Sequence, residues 1–183
     1  MENLSNKRIA ILTENGFEET ELTGPKKALE EAGATVHVIS PQSGRVKAMK
    51  DHQWSIEVVV DKILSEANPE DYDGLVLPGG VINPDQLRQN NEAIGFITAF
   101  FDAGKPVGAI CHGPQTLIEA GVVDGRELTS YPSIRTDLEN AGAIWTNQEV
   151  VVDNGLVTSR TPADLPAFNK KLIEEIAEGI HNY

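Results

Sequence analysis

Cys111 is the one cysteine of the chain, and it stands in the segment Ala109-Ile110-Cys111-His112-Gly113. The form is small-x-nucleophile-x-Gly, placed after an apolar run and before a helical pattern. That is the arrangement of a nucleophile elbow, with cysteine in the place of serine. The chemistry asks for these residue types. A strained turn needs small flanking positions, it lifts the thiol clear of a sheet, and it aims free helix amides at the group under attack. The same positive helix end lowers a thiol pKa and favours thiolate.

Two further segments could complete such a site. Leu77-Pro78-Gly79-Gly80 follows another apolar run. Glycines there let the backbone approach a ligand and present an amide at the carboxyl edge of a sheet. In an elbow enzyme this loop gives one oxyanion donor, here Gly80, and the amide after the nucleophile, His112, gives the other. Gly16-Phe17-Glu18-Glu19-Thr20-Glu21 puts three carboxylates at a helix start. They serve as caps and dipole partners, or one of them, protonated, donates a hydrogen bond to the thiolate. The pattern leaves the three equal. Among the other histidines, His37 reads as a packing residue in a strand, His52 as surface or pocket, and His181 as part of a frayed end. No spacing of His, Cys or Asp matches a metal site, so no zinc is expected.

The elements that must position these residues alternate between short apolar runs and helical spacing, the signature of a parallel sheet covered by helices. Strands are expected at Arg8 to Thr13, Thr35 to Ser40, Asp73 to Leu77 and Lys105 to Ile110. Shorter ones are expected at Leu128 to Ser130, Val150 to Val152 and Leu156 to Ser159. Helices are expected over Glu19 to Ala32, over Asn91 to Ala103, from near Gly113, and from Pro162 or Ala163 onward. Gly44 to Asp61 interrupts the alternation and reads as irregular chain followed by a strand, a hairpin excursion within one domain spanning residues 1–183.

Charge narrows the function classes. The chain carries 28 acidic against 15 basic residues, a net charge of −13. A field of that sign repels phosphate backbones, so nucleic acid is not an expected partner. One cysteine excludes an intrachain disulfide and fits a reducing compartment. No apolar run approaches the roughly 20 residues of a membrane span, and the N-terminal residues lack the apolar core of a signal peptide. The expectation is a cytoplasmic protein with no membrane partner.

On these residues the chain resembles the PfpI-type intracellular proteases of the ThiJ/PfpI superfamily, relatives of the class I glutamine amidotransferases. The stretches that carry the resemblance are FEETEL at Phe17 to Leu22, YDGLVLPGG at Tyr72 to Gly80 and GKPVGAICHGPQTL at Gly104 to Leu117. TSYPSIRTDLENAGA at Thr129 to Ala143 and VTSRTPADLPAF at Val157 to Phe168 extend it over nearly the whole chain. The resemblance implies an α/β fold, a flavodoxin-like sandwich with a mostly parallel sheet and helices on both faces, assembled as dimers or larger rings. It places the nucleophile on Cys111, the neighbouring histidine on His112 and the carboxyl that contacts the cysteine on Glu21. The third member of the proposed triad comes from a neighbouring subunit and aligns with Asp85, a shorter acid with one extra residue before it. The amidotransferases carry a histidine and a glutamate after the last strands. Ser159 to Asp164 holds no histidine, so that triad is not expected here.

The function so implied is a cysteine-dependent enzyme that attacks an electrophilic carbonyl without a cofactor. It is either a peptidase or amidase-like hydrolase, or a glyoxalase or deglycase acting on 2-oxoaldehydes. The alternative is a redox-responsive stress protein whose thiol senses or protects with little turnover.

Overall fold

The computed structural model describes residues 2–182. Its frame is a seven-stranded sheet built from β1 (Arg8–Leu12), β3 (Thr35–Ser40), β6 (Lys62–Ile63), β7 (Gly74–Leu77), β8 (Val107–Ile110), β11 (Val151–Asp153) and β12 (Leu156–Ser159). The strand order is β11-β12-β8-β7-β1-β3-β6, and every pair is parallel except β11 with β12. β7, β8 and β12 are buried along their whole length, which explains why they read as unbroken apolar runs without a polar alternate face.

Side chains of successive strand residues point to opposite faces, and the two faces meet different helices. Ile9 and Ile11 of β1, with Val76 and Val157, pack under α1 (Glu19–Glu31) and α6 (Leu165–Glu178) through Leu22, Leu29, Phe168, Leu172 and Ile176. Ala10 and Leu12, with Leu75, Leu77 and Ala109, pack under α3 (Asn91–Asp102), α4 (Gln115–Glu119) and α5 (Arg135–Asn140) through Phe96, Ile97, Phe100, Leu117 and Leu138. Each large apolar side chain so buried contributes about 1.5–3 kcal/mol. The mostly parallel sheet with helices on both faces is therefore as the sequence implied. A further short helix, α2 (Ile82–Leu87), follows β7. Among the described residues no helix is long and apolar enough to cross a membrane.

Three local expectations need correction. The stretch after Gly44 is not irregular: β4 (Arg45–Lys50) and β5 (Gln53–Val59) form an antiparallel hairpin, and β4 also pairs with β2 (Phe17–Glu18). Val46 and Ala48 are buried there while Arg45 and Lys47 are exposed, so basic outward residues masked a period of two. The turn is Asp51–His52, both left-handed at φ 50° and 61°, the conformation of a two-residue hairpin that is usually signalled by Asn-Gly. The segment expected as a strand over Leu128 to Ser130 pairs only briefly, as β9 (Glu127–Leu128) beside β10 (Ile144–Trp145). Finally, the helix after Cys111 begins at Gln115, not near Gly113.

Candidate active site

β1, β7 and β8 end side by side, and the segments after them meet at one edge of the sheet. β8 runs into Cys111, whose backbone is left-handed with φ 62°. Such a conformation costs a non-glycine residue about 1–3 kcal/mol. Here it is held from both sides: the Cys111 amide donates to Ser159 O at 3.0 Å, its carbonyl accepts from Tyr131 N at 2.9 Å, and Gly113 N closes back on Ile110 O at 2.9 Å. The elbow read from the sequence is present. Cys111 is 7% exposed and lies in a cleft of about 720 Å³, whose walls include Glu18, His52, Val81, Tyr131 and Ser133.

Of the three carboxylates after β1, the fold turns Glu21 inward. It is fully buried, whereas Glu18 is half-buried on the cleft wall and Glu19 lies outside the cleft. Its Oε2 accepts from Gly79 N at 2.8 Å. Its Oε1 is shut off from solvent without a conventional hydrogen bond, and Cys111 interacts with the carboxyl. Pro25 withdraws the amide that would bond the Glu21 carbonyl one turn on. Burial raises the Glu21 pKa from 4.5 to about 8, against the pull of the Gly79 amide and Cys111. At neutral pH the carboxyl therefore carries a proton, and a proton on Oε1 directed at sulfur would give that orphaned oxygen a partner.

The Cys111 thiol departs from expectation. Burial, and then the charge and hydrogen bond of Glu21, push its pKa up, while the amides of His112 and Gly80 pull it down. α4 has five residues and starts four residues beyond Cys111, so its end offers too little to offset burial. The two groups behave as a pair in which like charges at close range cannot both ionise. A charge on sulfur requires the proton to stay on Glu21. The amides of Gly80 and His112 are the groups that act to hold the thiol pKa down.

His112 Nδ1 lies 3.2 Å from Cys111 Sγ, and its Nε2 lies 3.1 Å from Ser133 Oγ. The ring stacks on Tyr131, with centroids 4.7 Å apart and planes at 22°. Burial lowers its pKa, which favours the neutral ring. When Nδ1 accepts the thiol proton, Nε2 is the protonated nitrogen and donates to Ser133 Oγ. Tyr131 holds the ring plane and Ser133 anchors Nε2, its hydroxyl able to accept from or donate to that nitrogen.

Residues 7–175 match the DJ-1/PfpI family. The chain belongs to the DJ-1/PfpI family. General stress protein 18 of Bacillus subtilis is 49% identical over 166 residues, covering 90% of this chain and 95% of that protein. Protein/nucleic acid deglycase 2 of Escherichia coli is 47% identical over 169 residues, covering 92% and 96%. The crystal structure of Drosophila melanogaster DJ-1beta superposes with a TM-score of 0.86 at 29% identity, covering 93% of this chain and 90% of that one.

Within a single DJ-1/PfpI chain, Cys111, His112, Glu21 and Gly80 come together and Asp85 does not. Asp85 is exposed in α2, outside the cleft, and within the chain His112 Nε2 faces Ser133 Oγ. After β12, Arg160 donates through its amide, Nε and Nη2 to Asp164 at 2.9–3.0 Å, so an ion pair stands where the amidotransferases carry their histidine and glutamate. Ser133 and Tyr131 escaped the residue-by-residue reading, although both lie in the stretch Thr129 to Ala143 that carried the resemblance.

The Glu21 proton has a consequence for stability. Between pH 4.5 and about 8 the folded chain holds a proton at Glu21 that the unfolded chain has released. The stabilisation is complete below the lower value and is lost as pH rises through the upper one. Glu21→Gln removes this dependence. Denaturant midpoints at pH 5 and pH 8.5 should fall further for the wild type than for Glu21→Gln, and equal falls would mean that Glu21 is already ionised at the lower pH.

Proposed function

We propose that this protein is a cysteine-dependent enzyme of the PfpI type that acts on small 2-oxoaldehydes and on their adducts with amines and thiols. The observation that carries the reading is the 3.2 Å approach of His112 Nδ1 to Cys111 Sγ on a left-handed elbow. Cys111 adds to the electrophilic carbonyl, forming a carbon–sulfur bond as the thiol proton passes to His112 Nδ1. The amides of Gly80 and His112 hold the resulting oxyanion. Glu21, protonated, donates to sulfur and keeps a second negative charge away from it. Conversion of methylglyoxal to lactate consumes one water and moves a proton between neighbouring carbons, so it needs no cofactor. Once His112 has returned the thiol proton to that oxyanion, its neutral imidazole beside the resulting thiohemiacetal is suited to that transfer. The deglycase name of one relative supports this class. The 7% exposure of Cys111 limits access of oxidants to the sulfur, while His112 Nδ1 gives the thiol proton a place to go on attack, which argues for turnover over a purely redox-responsive role.

The test is methylglyoxal-treated N-acetyl-lysine offered beside an unmodified peptide, in the cytoplasm-like reducing buffer that one cysteine suits. Lactate released with the peptide left whole is the expected result. Peptide cleavage without lactate overturns the reading in favour of a hydrolase.

The enzyme works as a homo-oligomer of single-domain chains, 1–183, in which Asp85 of one subunit approaches His112 of another. Val81 and Ile82, beside Asp85 at the cleft rim, are 65% and 38% exposed, as a contact surface requires. Asp85→Asn should then lower turnover several-fold with the oligomer intact. Mixing it with Cys111→Ala subunits should restore part of the activity. No recovery, with subunit exchange confirmed by mass spectrometry, removes the shared site.

A further inference from the structure

Away from the cleft, the end of α6 gathers ligand chemistry of a different kind. We propose that Glu175, Glu178 and His181 form a binding site for a divalent cation of the zinc class, fastening the C-terminal tail to α6. The ligand atoms of the three residues all lie within 4.8 Å of one another. Gly179, with φ 93° and ψ −134°, ends the helix and reverses the chain. The His181 amide then donates to Gly104 O at 2.7 Å, which fixes the tail where the imidazole folds back on the helix. The expectation of a frayed end is corrected by that bond, which ties the tail to the loop after α3. Glu-x2-Glu-x2-His spans more than one helical turn, and only the reversal at Gly179 brings His181 back.

The spacing inside the cluster favours a cation over a hydrogen bond. His181 Nε2 stands 3.3 Å from Glu175 Oε2, an ion pair when the imidazole is protonated, and that nitrogen is shut off from solvent with no hydrogen bond of good geometry. Two ligands bound tetrahedrally at about 2.0–2.2 Å lie roughly 3.3–3.6 Å apart, so these two atoms already stand at the edge length of a zinc tetrahedron. Glu175 is 9% exposed and interacts with the Gly155 amide, the outer hydrogen bond that orients a ligating carboxylate. Glu178 is exposed and provides the entry path, leaving a fourth position for water. One imidazole and two carboxylates suit zinc better than calcium or magnesium, which prefer all-oxygen sites.

Full-length Cys111→Ser protein, which lacks the competing thiol, is titrated with zinc by calorimetry. One ion per chain is expected, with binding weakened at least about 10-fold in Cys111→Ser/His181→Ala and in Cys111→Ser/Glu178→Gln. Cobalt substitution should give the visible absorption of a four-coordinate ion, lost with His181→Ala. Circular dichroism of the metal-free variants, unchanged by these substitutions, shows that the ligands and not the fold were removed. No zinc bound by Cys111→Ser, or equal binding after either second substitution, overturns the site.

Discussion

Cys111→Ser is expected to lower kcat/KM on methylglyoxal adducts by about 10³-fold or more, with the fold intact. The neighbours of the sulfur set the size of this loss. A serine hydroxyl is far less acidic than a thiol, and the base available to it is a neutral imidazole whose pKa burial has lowered. Glu21 cannot help, because at neutral pH burial keeps its own proton in place. The amides of Gly80 and His112 would remain, so the oxyanion site survives while the attacking atom does not. Stability should change by no more than about 1 kcal/mol, since the hydroxyl finds Glu21 and His112 as partners and serine fits the same left-handed turn. Steady-state kinetics and a thermal melt on the same preparation check both halves. Retention of a tenth or more of the activity would mean that the carbonyl is attacked by something other than Cys111.

How much of this was legible in the sequence depends on whether the cause is local. The elbow was legible because its cause is local: Cys111 needs small neighbours, a strand behind it and a glycine ahead, and all three stand in one segment. The doubly covered sheet was legible for the same reason, since β7, β8 and β12 are buried on both faces and read as apolar runs. The choice among Glu18, Glu19 and Glu21 was not legible from the residues, because it depends on how the two-residue strand β2 sets the rotation of α1. Ser133 meets His112 across 21 residues of chain, and no spacing rule announces such a contact. The direction of the Cys111 pKa was misread because it turns on burial, which a helix end alone does not express. β4 was hidden because Arg45, Lys47 and Lys50 make a strand look like a polar loop.

Gly79→Ala is expected to damage stability and catalysis together, since one small position separates the two halves of the site. A Cβ on Gly79 would lie 2.6 Å from Glu21 Oε2, 2.8 Å from Cys111 Cβ and 2.8 Å from Ile110 O. Carbon does not approach other atoms so closely, and none of the three neighbours is free to retreat. Ile110 O accepts from Gly113 and closes the elbow, Cys111 is held by Ser159 and Tyr131, and the Glu21 side chain is fully buried. The loop must therefore move, and with it goes the 2.8 Å bond from Gly79 N to Glu21. Overpacking and a broken buried hydrogen bond together cost about 2–4 kcal/mol, a fall in Tm of roughly 4–16 °C for a chain of this size. The next residue is Gly80, whose amide acts on the Cys111 sulfur, so turnover should drop by about 10²-fold or more as that donor is displaced. Gly44 supplies the control: its φ is positive, at +80°, and a Cβ there meets nothing within 4 Å. Gly44→Ala should cost only the backbone strain of about 1–2 kcal/mol and leave turnover unchanged. Melting curves and kinetics on the two variants decide the matter, and a Gly79→Ala protein as stable and as active as Gly44→Ala would show that Glu21 and Cys111 do not depend on the close approach of that loop.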